Sequence, residues 1–140
     1  MNRAARATEV WRLMSDFVMA QVGPKARALA GEGLTPGHWR ALRALDPAQP
    51  RTMGMCAEEL GCDPSTATWL IDRLEEKGFV ERRASATDRR VKSVVLTRKG
   101  IAMKAKLEAD FYAPPGRLEA LSRTDLEALD RALRALTADD

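Results

Sequence analysis

The chain is poor in the residues that build metal centres and catalytic sites. In 140 residues it has one histidine, His38, and two cysteines, Cys56 and Cys62. That is too few soft ligands for a zinc site, and no metal or cofactor is expected. Cys56 reads as a buried core thiol and Cys62 as an incidental one, with a redox switch as the alternative. There is no glycine-rich phosphate loop and no Gly-x-Ser-x-Gly turn. The acidic pairs Glu58-Glu59 and Glu75-Glu76 are helix neighbours that diverge by roughly 100°, so neither forms a dyad. An enzyme is therefore not expected. No apolar run approaches the roughly 20 residues that cross a membrane, and MNRAARATEV lacks the apolar stretch of a signal peptide. A cytoplasmic location is the expectation.

What the chain does have is one stretch where period and charge change together, Asp63 to Gly100, DPSTATWLIDRLEEKGFVERRASATDRRVKSVVLTRKG. Asp63 followed by Pro64 is a helix-opening pair. Ala67, Leu70, Ile71 and Leu74 then share one face, with Ser65, Trp69, Asp72 and Glu76 on the other, until Gly78 stops the helix. Phe79-Val80 and Val91 to Leu96 fit two short strands joined by the small polar linker Ala84 to Asp88. From Arg82 to Gly100 there are seven basic residues against one acidic, a net +6, whereas the whole chain is +3. A positive charge on a thin ribbon suits a narrow polyanion such as a DNA groove.

Here the chain resembles the MarR family of winged helix-turn-helix transcription regulators. The resemblance is carried by STATWLIDRLEEKGFVERR for a recognition helix and first wing strand, by the wing tip Asp88-Arg89-Arg90, and by VVLTRKG for the return strand and turn. It implies a mainly α (α+β) fold with a two-stranded β-wing and N- and C-terminal dimerisation helices. The expected divisions are 1–33 for the N-terminal dimerisation region, 34–100 for the DNA-binding domain and 101–140 for the C-terminal dimerisation helices. It also implies a homodimer on a pseudo-palindromic double-stranded operator, more a repressor than an activator, with a small-molecule effector. The alternative is a winged-helix adaptor acting through protein contacts.

Within that frame Ser65, Thr66 and Thr68 are expected to reach phosphates or base edges from the first helical turns. Arg73 is assigned to phosphate or guanine, with an ion pair to Glu76 as its structural alternative. Trp69 departs from the family's small or basic residue. It would contact a thymine methyl or a sugar, or else hold the helix off the bases. At the wing, Arg82, Arg89 and Lys92 are expected on DNA, Arg90 in the minor groove, and Asp88 holding the Arg90 guanidinium extended. Trp11, His38 and Trp39 are the candidates for an effector cleft, and for His38 a core role is the competing reading.

The rest of the chain is helical by pattern. Val10, Leu13, Met14, Phe17 and Gln21 share a face within about Arg3 to Leu29, with Trp11 and Val18 at its margin and a break expected at Gly23-Pro24. Thr35-Pro36 opens a second helix lined by Trp39, Leu42 and Leu45. Asp46 to Pro50 is a loop, and Thr52 caps a third helix, Met53 to Leu60. Pro114-Pro115-Gly116 ends the helix that follows Gly100. Ser122 with Asp125 then opens a last helix striped by Leu126, Leu129, Leu133 and Leu136.

Overall fold

The computed structural model describes residues 2–85 and 87–138. Of the sequence expectations, the middle of the Ala84 to Asp88 linker, Ala86, and the ends of the divisions 1–33 and 101–140, Met1, Asp139 and Asp140, lie outside the described residues. The order is α1 (Arg3–Gly31), α2 (Pro36–Ala44), β1 (Arg51–Thr52), α3 (Met53–Leu60), α4 (Pro64–Glu76), β2 (Val80–Ala84), β3 (Lys92–Leu96), α5 (Arg98–Tyr112), α6 (Gly116–Glu119) and α7 (Arg123–Thr137).

Helix starts follow from local chemistry. Thr35, Thr52, Asp63, Thr97 and Ser122 each take the backbone N–H three residues on, which satisfies a donor the first turn would leave free. Two helix C-termini are closed from neighbouring elements. Arg40 of α2 donates to the Leu60 carbonyl at the end of α3 (3.0 Å), and Lys104 of α5 donates to the Leu45 carbonyl after α2 (2.6 Å). Gly78, at φ +77°, ends α4 in the left-handed region that glycine adopts without strain, with the Phe79 N–H returning to the Leu74 carbonyl.

The core lies where α2, α4 and the sheet meet. Leu42, Ile71, Leu74, Val80 and Val94 are its most deeply buried large side chains, and Leu29 and Leu107 close it from α1 and α5. Burying such side chains stabilises by about 1.5 to 3 kcal/mol each. That packing fixes the base of the wing to the recognition helix.

One expectation is extended and another corrected. The two-stranded wing of β2 and β3 is present, and it belongs to a three-stranded sheet ordered β1-β3-β2 and antiparallel throughout, because Arg51–Thr52 pairs with Ser93 and Val94 on the edge of β3 that β2 leaves open. Two residues are too few to show an alternating pattern. In addition, α1 does not break at Gly23-Pro24 but runs through Pro24 to Gly31. Proline there removes a hydrogen bond to the Ala20 carbonyl at a cost of about 3 kcal/mol. The far side of the proline is anchored elsewhere: Leu29 is buried in the core, and the Lys25 ammonium donates to the Phe111 carbonyl and lies 4.8 Å over the Phe111 ring.

The two ends of the chain are less covered. Val10, Trp11, Leu13, Phe17 and Val18 of α1 are exposed, and α7 buries no residue among those described.

Candidate nucleic-acid interface

The exposed start of α4 is organised by Asp63. Its carboxylate accepts from the Ser65 hydroxyl (2.5 Å), the Thr66 N–H (2.8 Å) and the Thr66 hydroxyl (2.9 Å). These bonds, the Ser65 hydroxyl first, hold the Asp63 pKa down at about 2. Thr68 donates its hydroxyl to the Pro64 carbonyl (2.9 Å). The hydroxyls of Ser65, Thr66 and Thr68 therefore turn their protons inward and offer acceptor lone pairs outward. That suits base donors such as adenine N6 or cytosine N4, and a phosphate contact requires one internal bond to be released first. The ionised Asp63 also offsets part of the attraction of the helix N-terminus for phosphate.

One turn further on, Trp69 is 58% exposed, and its ring centroid stands 5.0 Å from that of His38, tilted by 39°. Arg73 pairs with Glu76 at 3.2 Å, the structural alternative read from the sequence. Both groups are well exposed, so the pair is weak and can open to a phosphate.

The hairpin sorts its charges by height. At its base Arg82 is largely buried against α4, with Nη2 2.6 Å from Asp72 and Nη1 2.7 Å from Glu75, and its backbone N–H also reaches Glu75 (2.9 Å). Lys99 donates to the Lys77 carbonyl (2.8 Å), and Arg83 pairs with Glu81. At the tip Arg89, Arg90 and Lys92 are exposed, and among the described residues no carboxylate pairs with them. The guanidinium of Arg82 is thus a clamp between wing and helix. Its partners Asp72 and Glu75 lie ten and seven residues earlier, and nothing in the sequence pattern marks them.

Asp88 shapes the tip differently from expectation. Its carboxylate accepts the backbone N–H of Arg90 (2.9 Å), while its carbonyl takes the Val91 N–H (3.1 Å). A carboxylate two residues before an amide closes a turn on the main chain. Asp88 therefore sets the direction of the backbone under Arg90, whose side chain is exposed.

The three effector candidates do not come together. Trp39 lines a cavity of about 40 Å³ with Lys25, Leu29, Leu107 and Phe111. His38 is on the other side of α2, against Trp69, and Trp11 lies on the exposed N-terminal part of α1. Lys25 and Phe111, which sequence reading missed, also border an open apolar groove of about 360 Å³ beside Phe17, Val22, Tyr112 and Pro115. Spacing alone could not reveal them, because Lys25 and Phe111 are 86 residues apart in the chain.

Residues 34–92 match the model of the MarR family. That span holds the recognition helix and the Asp88-Arg89-Arg90 tip, so the resemblance read from those residues is borne out. The chain is similar along nearly its whole length to the YusO protein from Bacillus subtilis, with 25% identity, 98% of this chain and 100% of that one covered, and a TM-score of 0.78. A MarR family protein from Bacillus stearothermophilus has 24% identity over 97% of this chain and 95% of its own, with a TM-score of 0.70. Streptococcus pneumoniae FabT, solved in complex with DNA, has 20% identity over 93% and 94%, with a TM-score of 0.72. The last two likenesses are of fold.

Proposed function

We propose, for a chain whose residues 34–92 are a MarR family domain, that the protein is a cytoplasmic homodimeric regulator that represses transcription by binding a pseudo-palindromic duplex. The observation that carries this reading is the sorting of charge along the wing. Arg82 and Arg83 on its first strand are paired with Asp72, Glu75 and Glu81, whereas Arg89, Arg90 and Lys92 at its tip have no carboxylate partner among the described residues. Leaving three cations unpaired on a hairpin tip costs the fold little and gives a phosphate backbone its counter-charge. Trp69 and the acceptor hydroxyls of α4 would read bases while the wing holds register. FabT, of the same fold, was solved with DNA.

A dimer is supported by the apolar stripes left exposed at both ends of the chain, on α1 and α7. Two-fold symmetry then requires two half-sites about 10 bp apart, or a multiple. An aromatic or phenolic effector would sit in the open groove beside Phe17, Tyr112 and Lys25 rather than in the cavity at Trp39, since about 40 Å³ holds little more than a water. The adaptor reading predicts no such charge sorting. Titration with duplex DNA at several salt concentrations separates the two: phosphate contact gives log affinity falling with log salt at about 0.9 per contact, and a flat, weak response would reject DNA binding.

A further inference from the structure

We propose that His38 is a positioning residue for DNA readout: its buried imidazole is the wall against which the Trp69 indole is held on the recognition helix. The inference rests on the DNA-binding reading above.

It begins with a close approach. A Cβ on Gly37 would stand 3.1 Å from Leu70 Cδ2, so the first turn of α2 lies directly on the middle of α4. That contact brings residue 38 against residue 69. His38 is the buried polar residue of the core, 2% exposed, whereas Trp69 lies mostly in solvent, and their rings meet at 5.0 Å.

The His38 ring is fixed from behind. Nδ1 accepts the Thr35 N–H (3.0 Å) and lies 2.8 Å from the Thr35 hydroxyl, which places the remaining proton of the neutral ring on Nε2. Nε2 is buried and has no nitrogen or oxygen partner among the described residues. The capping box explains the first nitrogen and not the second. Glutamine at this position would complete the same box without a ring. What the imidazole adds is a flat aromatic face turned to Trp69.

An exposed tryptophan on a helix samples several rotamers. An aromatic contact of this kind favours one of them by roughly two- to tenfold. The favoured pose decides which base edge meets the indole, so His38 sets sequence preference without touching DNA.

The test compares two substitutions that split the ring from the cap. His38→Gln keeps a cap acceptor and removes the wall; His38→Phe keeps a wall and removes the acceptor. Wild-type protein first enriches its preferred duplex from a random library. Affinities for that duplex and its single-base variants are then measured for wild type, His38→Gln, His38→Phe and Trp69→Ala.

The expected result is that His38→Gln loses preference by roughly fivefold or more at the same base positions as Trp69→Ala, with the salt slope unchanged, while His38→Phe keeps it. Acrylamide quenching in a Trp11→Phe background reports on Trp69 without DNA, because Trp39 is buried. There His38→Gln should increase quenching and His38→Phe should not. Wild-type preference and quenching in His38→Gln would overturn the proposal, as would loss in His38→Phe alone, which marks a helix cap only. If wild type binds no duplex, the DNA reading falls and unchanged quenching in His38→Gln still rejects the wall.

Discussion

A Cβ on Gly100 would stand 1.8 Å from the carbonyl oxygen of Phe79. That carbonyl accepts the Thr97 N–H (3.0 Å), and Thr97 in turn donates its hydroxyl to the Gly78 carbonyl (2.5 Å) and caps Gly100 (3.0 Å). The Leu-Thr-x-x-Gly exit of the wing is thus one joint. It seats the first turn of α5 on the root of the wing, and only a residue without a side chain fits.

Gly100→Ala should therefore destabilise by about 2 to 4 kcal/mol, since backbone has to move. Gly116, with nothing within 4 Å of its Cβ position, is the matched control, and Gly116→Ala should stay within about 0.5 kcal/mol. Urea unfolding of both proteins checks this. Equal midpoints would mean that the joint is looser than its geometry.

Arg82 and Arg90 are eight residues apart on one hairpin and should respond in opposite ways. Arg82→Ala removes a largely buried guanidinium held by two half-exposed carboxylates and should cost about 1 kcal/mol of stability. Arg90→Ala should leave the unfolding midpoint alone, weaken DNA binding by about 1 to 3 kcal/mol and reduce the salt slope by about 1. An Arg90 variant with unchanged slope would remove that side chain from the phosphate or groove contact.

Acid should weaken the start of the recognition helix. The folded pKa of Asp63, at about 2, lies below the ordinary aspartate value of 3.8. Its contribution is therefore complete above about 4 and is lost as pH falls through about 2. Asp63→Asn keeps a cap but removes the charge, so the gap in urea midpoint between wild type and variant should be full at neutral pH and close between about 4 and 2. A gap independent of pH would place the benefit in hydrogen bonding alone.

His38 titrates in a different window. Burial, with the positive charges of Arg73 on α4 and Lys77 just after it, holds its pKa below 6.5. The fold prefers the neutral ring, so the stability it contributes is complete above about 6.5 and falls as pH drops towards the lowered folded value. His38→Gln should abolish this slope. The same slope in both proteins would assign it to other groups.

Much of this architecture was legible because its causes are local. Thr35, Thr52, Asp63 and Ser122 each cap a helix by a bond spanning three residues, and the apolar face from Ala67 to Leu74 is buried as its period requires. What escaped reading depends on residues far apart in sequence. Pro24 stays within a helix because Leu29 and Lys25 are held by other elements, and β1 exists because β3 has an open edge. Arg82 looked like the other wing cations until Asp72 and Glu75 were brought beside it by the turn at Gly78. Charge is visible in a sequence, and its neutralisation is not.

The last helix gives the sharpest test of the dimer. Alpha-helix α7 has 15 residues and buries none of them, and isolated helices of about 12 to 15 residues are marginal in water. Its leucines lie along one side, where Leu126, Leu133 and Leu136 remain exposed and Leu129 is half-buried. Such a helix needs a covering surface, and a second chain offering the same stripes would provide one. Leu126→Glu with Leu133→Glu should then give a monomer by sedimentation, lower the helical signal and weaken operator binding on the order of 100-fold or more, because each half-site must be bound without the avidity of its pair. Wild-type protein that sediments as a monomer with full helicity would show that α7 stands without a partner.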